Sequence, residues 1–260
     1  MPPVIRRAQI LEQIQRDGGV SIADLARAHG VSPVTVHRDL EQLASEGLVE
    51  RIHGGARTVQ GVDGPRPPAT AWTKRVIQAG AAKTAIAVHA ARLVTNGSTI
   101  FLDASSSALA LSRRLAEHPP NELTLVTNSP AIVHEITSEP IHVVACPGEL
   151  DQHMRMLTGR WTVEFLEQLN FDVAFLSAAG VTLDAGLTTS RRPLADVLVA
   201  ATASAERTLG LIDASKFGRA GLLSIMPVDE LDLIFTDSAL DAAVAQDYAA
   251  AGVRLEIVNE

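Results

Sequence analysis

The sequence predicts an α/β chain in two parts: a short helical unit closed by a small β-wing, then a larger unit built on a mostly parallel sheet. Three observations carry this expectation. Two short helical stretches flank Gly30-Val31-Ser32, and a strand-and-turn pattern with paired glycines, Gly54-Gly55, follows them. Residues 58–73, TVQGVDGPRPPATAWT, are rich in Gly, Pro and Thr, lack periodicity and read as a linker. Beyond them, apolar runs alternate with helical stretches, as strands do when crossover helices cover both faces of a sheet. The expected boundaries are 1–57, 58–73 and 74–260.

In the first part, Ile5, Ala8, Leu11 and Ile14 form the apolar stripe of a first helix. Ser21 and Asp24 give a capping-box-like start to a second, whose face is Ile22, Leu25 and Ala26. Gly30 stands where that helix must stop, a place that favours positive φ. Ser32 is a good N-cap and Pro33 is pre-set for the first position of a third helix. There Val36, Leu40 and Leu43 face inward, so Thr35, His37, Arg38 and Gln42 face outward near the N-terminal end. Gly47 ends the helix, Leu48 to Ile52 read as a strand, and His53-Gly54-Gly55 as a turn tip that Arg51, His53 and Arg57 make basic. Glu41, Glu46 and Glu50 read as solvated. This is the layout of a winged helix-turn-helix, whose outward helix end enters the major groove of double-stranded DNA.

Charge is distributed in keeping with that partner. The chain of 260 residues carries 22 Lys and Arg against 30 Asp and Glu, a net charge of −8. Residues 1–57 hold seven Arg and seven acids, so the whole deficit lies in the remainder. The single cysteine, Cys146, excludes an intramolecular disulfide and a cysteine-rich zinc site, and it reads as a buried strand residue. His134 and His142 read as surface or strand-edge residues, so no metal site and no cofactor are expected. No signal-like run and no apolar stretch of about 18 residues is present, so a cytoplasmic protein without a membrane partner is expected.

In the larger part the expected order is helix 83–94, strand 99–102, helix 105–115, strand 123–126, helix 130–136, strand 141–146, helix 162–169, strand 173–176, helix 194–205, strand 208–212, strand 233–236, helix 239–251 and strand 254–258. Ligands of such sheets sit at the C-terminal ends of the strands. Four turns there are polar or carry glycine: Asp103 to Ser107, Thr127-Asn128-Ser129, Ser177 to Gly180 and Asp213 to Lys216. Hydroxyls and amides at a helix start suit a phosphate, Asp103 suits sugar hydroxyls, and Lys216 supplies positive charge.

These residues resemble the DeoR family of bacterial transcriptional regulators over nearly the whole chain. The match in the first part rests on Arg6-Arg7, Val31-Ser32, Thr35, Arg38-Asp39-Leu40, Gly47, Arg51 and His53 to Ala56. In the second part it rests on Lys83 with Ile86-Ala87, Asp103 to Ser106, Thr127-Asn128, Gly148-Glu149-Leu150, Gly186 to Thr189 and Asp213 to Gly218. The resemblance implies a Rossmann-like sensor domain, similar in fold to ribose-5-phosphate isomerase. It also implies a repressor of sugar or carbohydrate catabolism genes controlled by a phosphorylated sugar or related metabolite.

The DNA-facing candidates are Arg6, Arg7, Ser32, Thr35, His37 and Arg38, with Arg51, His53, Gly54 and Arg57 of the wing. The effector candidates are Asp103, Ser105, Ser106, Thr127, Asn128, Gly180 and Lys216. A homo-oligomer is expected, because helix-turn-helix proteins bind paired half-sites. The chain departs from the family at His37, where a second Arg is usual, at Pro147 and Ala179, and from Pro193 to Leu198, where an acid and a Lys are usual. Arg191 and Arg192 are candidates to replace the lost charge. The alternative reading is an isomerase-like enzyme with an added DNA-binding domain. Asp103 is its only nominated acid, and no catalytic nucleophile–base pair is evident.

Overall fold

The computed structural model describes every residue except 1, 2, 18, 46, 47, 53, 58–71, 73, 74, 77, 137, 138 and 260. Gly47, His53 and all of the expected linker but Trp72 therefore lie outside the described residues. The chain divides into two compact units, Met1–Ile77 and Gln78–Glu260.

In the first unit, three helices among the described residues pack with a three-stranded sheet. Helices α1 (Pro3–Asp17), α2 (Ile22–His29) and α3 (Pro33–Ser45) enclose a core of Ile10, Leu11, Ile14, Ile22, Leu25, Val36, Leu40, Leu43, Val49 and Ala56. Ile10 joins the core beside the expected Leu11 and Ile14. Ser21 accepts the Asp24 amide at 3.1 Å to start α2. Gly30 ends α2 at φ +62°, its N–H on the Ala26 carbonyl. Ser32 accepts the Thr35 amide at 3.2 Å to start α3. The sheet, in the order β1-β3-β2, joins β1 (Gly19–Ser21), β3 (Gly55–Arg57) and β2 (Glu50–Ile52), all antiparallel. The sequence pattern showed only β2. Gly55 is not part of the tip but opens the central strand, where a Cβ would stand 2.3 Å from the Val20 carbonyl oxygen.

The second unit is a seven-stranded sheet, parallel throughout, in the order β15-β14-β12-β9-β4-β5-β6. Its strands are β4 (Thr99–Leu102), β5 (Leu123–Thr127), β6 (Ile141–Ala145), β9 (Phe171–Leu176), β12 (Ala205–Leu211), β14 (Leu233–Asp237) and β15 (Leu255–Val258). Consecutive residues Ile100-Phe101-Leu102 and Ala174-Phe175-Leu176 are buried, so both faces are covered. The covering helices are α4 (Gly80–Ala90), α5 (Ser106–Glu117), α6 (Pro130–Glu135), α7 (Arg160–Leu166), α8 (Arg192–Ala203) and α9 (Ala242–Ala250). Helix α8 carries Val197, Leu198 and Ala201 into a core with Phe101, Phe171 and Leu176.

Two small antiparallel additions escaped the sequence pattern. They are the hairpin β7 (Glu149–Asp151)–β8 (Met156–Thr158) and the sheet β10 (Gly180–Thr182)–β11 (Gly186–Thr189)–β13 (Leu223–Met226). Each strand has three or four residues, too few for a period of two to register.

From β4 the chain proceeds outward through β5 and β6. It then returns to place β9 on the other side of β4 and proceeds through β12, β14 and β15. The reversal between β4 and β9 is a topological switch point, the place where open α/β sheets commonly bind ligands.

Candidate functional site

In the first unit α3 turns one face outward. Val34 is 62% exposed, His37, Arg38 and Glu41 are exposed beside it, and Val36, Asp39, Leu40 and Leu43 are buried opposite. Thr35 is half-buried and its hydroxyl lies 2.9 Å from that of Ser32. Among the described residues no carboxylate pairs with Arg38. Val34 was missed by sequence reasoning, although it shares the face of His37 and Arg38 at helical spacing.

Arg6, Arg7, Arg51 and Arg57 are engaged within the unit. Arg6 is 8% exposed and holds the 3% exposed Asp39 through Nε–Oδ2 at 2.5 Å and Nη2–Oδ1 at 3.2 Å. It fastens α1 to α3, so the expectation of a DNA contact there is corrected. The bond to Asp39 also raises the Arg6 guanidinium above its ordinary value. Arg7, less buried, stands 3.9 Å from the same carboxylate. Arg51 donates to His37 Nδ1 at 2.8 Å and to Glu41 at 3.2 Å. Arg57 grips Glu50 with two bonds of 3.0 Å. Glu41 and Glu50 are therefore not merely solvated: each neutralises one wing arginine. Gly54 is exposed at φ +80°, a turn conformation that suits glycine.

In the second unit Asp103, 2% exposed, spans the switch point. Its Oδ1 accepts the Ser105 amide and its Oδ2 the Ser177 amide, each at 3.0 Å, tying the end of β4 to the end of β9. Ser105 is the N-cap of α5 and accepts the Ala108 amide at 3.0 Å, while Ser106 is half-buried in the first turn. Thr127 donates to the Leu102 carbonyl at 2.7 Å, holding β5 to β4. Gly180 is pressed against the backbone of Arg219, where a Cβ would stand 2.2 Å from its carbonyl oxygen. Lys216 is half-buried in the turn Ala214–Lys216, and that turn meets β10 where Gly218 N–H donates to the Val181 carbonyl at 3.0 Å. The expected residues thus share one edge. Most are bound into the framework, which leaves Ser106 and Lys216 as the more accessible polar groups.

Asn128 is fully buried and clamps the β7–β8 hairpin. Its Nδ2 donates to the Leu157 carbonyl at 3.0 Å, and its backbone carbonyl accepts the Leu157 amide at 2.8 Å. Its Oδ1 has no partner among the described residues. The same hairpin is held from α8 by Thr158 on the Pro193 carbonyl at 3.2 Å and by Arg191 on Asp151 at 2.8 Å. Burial alone would raise the Asp151 carboxyl. The Met154 amide, the charge and hydrogen bond of Arg191, and the His153 amide more than offset this and hold it below its ordinary value. This clamp is a feature that sequence reasoning missed.

A separate groove is lined by Arg160, Val163, Arg192, Pro193, Val199 and Leu223. It touches no end of a parallel strand. Its arginines are exposed and already paired within their helices, with Glu164 at 2.5 Å and Asp196 at 2.7 Å. Buried polar groups converge instead at the ends of the parallel strands, at Asp103, Thr127 and Asn128. Among the described residues no helix is long and apolar enough to cross a membrane.

Comparison with known proteins agrees with this division. The profile of the DeoR-like helix-turn-helix domain matches residues 6–61, and that of the DeoR C-terminal sensor domain matches residues 78–238. The chain is 31% identical to the HTH-type transcriptional regulator GlpR of Haloferax volcanii, over 97% of each chain. It is 27% identical to the glycerol-3-phosphate regulon repressor of Escherichia coli K12, over 97% of this chain and 98% of that one. Among solved structures, ribose 5-phosphate isomerase A of Methanocaldococcus jannaschii is 19% identical, with a TM-score of 0.40 over 54% of this chain and 55% of that one.

Proposed function

The chain belongs to the DeoR family of helix-turn-helix transcriptional regulators, and from that premise we propose that it represses genes of carbohydrate catabolism under the control of a phosphorylated sugar or polyol. The observation that carries the DNA part is the outward face of α3, where Arg38 is exposed without a carboxylate partner among the described residues and Val34 and His37 flank it. An arginine there suits guanine, and the Val34 methyls suit the methyl of thymine. Arg7, Ser32, Thr35 and the wing at Gly54 serve the backbone, with His53 as a further candidate beyond the described residues. Arg51 and Arg57 act through their internal partners.

The effector enters the crevice between β4 and β9. Its phosphate takes the amides at the start of α5, near Ser106, with Lys216 as counter-charge. Asn128 Oδ1, buried and unpartnered, accepts from a sugar hydroxyl. Asp103, Ser105, Thr127 and Gly180 shape the crevice. Asp103 accepts backbone amides on both oxygens, so nothing in its geometry favours the enzyme reading. A homo-oligomer reads paired half-sites. The effector shifts DNA affinity only as far as it binds the two states unequally.

Fluorescence anisotropy of the full chain on DNA from upstream of its own and neighbouring genes tests this. Specific binding that one phosphate ester alters is expected. Binding that no ester of a broad panel alters would refute the effector reading, and absence of sequence-specific binding would refute the DNA reading.

A further inference from the structure

The DNA-facing surface contains a pairing with no counterpart among the family features above. His37 and Glu41 lie one turn apart on α3, and Arg51 reaches them from β2. Its Nη2 lies 2.8 Å from His37 Nδ1 and its Nη1 lies 3.2 Å from Glu41 Oε1. A guanidinium has five N–H donors and no acceptor. The bond between Arg51 and His37 therefore exists only if Nδ1 is the acceptor. The proton of the neutral ring must then sit on Nε2, because a neutral imidazole carries one N–H and one bare nitrogen.

We propose that His37 is a base-reading residue held by Arg51 in its Nε2–H tautomer, so that α3 presents a single, oriented hydrogen-bond donor to a purine N7, guanine O6 or thymine O4 in the major groove. The proposal rests on the DNA-binding reading above. His37 is exposed on the face that carries Arg38 and Val34, so the ring edge opposite Arg51 is available to a base. Arg51 is only about one-third exposed, at 31%, and is held from both sides. It is a positioning residue rather than a phosphate contact. Glu41 completes the arrangement. Its carboxylate, 66% exposed, anchors the second arm of the guanidinium.

A protein with arginine at position 37 would ask for guanine through two bonds. One with the locked imidazole asks only for an acceptor. The base pair under His37 should then exclude cytosine in the facing position, whose groove edge offers a donor, and accept purine or thymine.

The test is selection of binding sequences from random duplex DNA by the full-length wild type, His37→Ala, His37→Gln and Arg51→Met, followed by affinity and salt titration on the selected sites. All three substitutions are at positions with exposed or partly exposed side chains, and circular dichroism reports that each variant is folded. His37→Ala should lose the preference at one base pair per half-site, about threefold to tenfold, and keep the others. His37→Gln, which keeps an amide donor, should restore most of it. Arg51→Met should weaken the preference at that same base pair with the salt slope unchanged. Where the selected base is adenine, its 7-deaza analogue should cost the wild type the same factor and His37→Ala nothing, and where it is guanine, either 7-deazaguanine or 6-thioguanine should do so. Where it is thymine, 4-thiothymine should do so.

The proposal is overturned if His37→Ala selects the wild-type sequence with the wild-type ranking. It is also overturned if Arg51→Met weakens all sequences alike with a shallower salt slope, the behaviour of a phosphate contact. A wild type that selects no sequence at all would instead overturn the DNA reading on which the proposal stands.

Discussion

Asp39 is the residue whose removal should most damage the DNA-binding unit without touching DNA. It is 3% exposed and takes two charge-assisted bonds from Arg6, itself 8% exposed, at 2.5 and 3.2 Å. Removing one partner of a buried ion pair costs about 3–5 kcal/mol, because a buried charge loses its counter-ion. A unit of this size has a total stability of about 4–11 kcal/mol, so the loss is a large part of the whole. Asp39→Leu should therefore speed amide exchange in α1 and α3 of the full chain by about two to nearly four orders of magnitude, at roughly tenfold per 1.36 kcal/mol. The double change Arg6→Met with Asp39→Leu should recover most of the protection, since buried pairs replaced by apolar groups of similar size are often neutral or better. Exchange within about threefold of wild type in Asp39→Leu would refute the claim that this pair joins the two helices. So would a double variant no better protected than the single one.

Other outcomes follow from the same structure. Burial, and then the Arg6 charge, push the His29 imidazole below its ordinary 6.5. The unfolded chain then binds the proton that the folded one resists, so exchange protection of the first unit should be full above 6.5 and fall as pH drops through and below it; His29→Gln should flatten that slope. Burial pushes the Cys146 thiol up to about 12, so a thiol reagent at pH 8 should label it in denaturant and leave the native protein unmodified over the same time. Lys216→Ala should leave operator affinity within about twofold and shift the effector concentration for half-response by about tenfold or more, the loss of one charge-assisted contact; a normal response would move the effector away from this crevice. Gly55→Ala should break the wing, because its Cβ would stand 2.3 Å from a backbone oxygen, and amide exchange across β2 and β3 should rise accordingly.

The helices and parallel strands were legible because their periods are long. Two turns of α3 repeat Val36, Leu40 and Leu43, and buried strands such as β9 carry short apolar runs, there Val173 to Leu176. The caps at Ser21, Gly30 and Ser32 were legible because each acts within three or four residues of itself. What was not legible acts over distance. Arg6 and Asp39 lie 33 residues apart, and nothing local distinguishes a buried arginine from a DNA contact, though an acid among the inward positions of α3 was a sign that it needed a partner. Arg51 and Arg57 gave the wing a basic appearance that their cross-strand and helix-borne carboxylates cancel. At the strand ends, the positions of Asp103, Thr127 and Asn128 were foreseen from the pattern, but not that backbone groups occupy most of their polar atoms. The clamp of Asn128 and Arg191 on the β7–β8 hairpin depends on strands too short to show a period.

The central claim is that one chain couples a groove-reading helix to a phosphate-binding crevice. Its most direct test is an anisotropy titration of the full chain, wild type beside Arg38→Ala and Lys216→Ala, on a selected operator with and without a panel of sugar and polyol phosphates. The account predicts that Arg38→Ala loses specific binding, at least tenfold, whereas Lys216→Ala binds the operator as wild type does but no longer answers the ester that alters wild-type binding. Unchanged specific binding by Arg38→Ala, or a full ester response in Lys216→Ala, would contradict it.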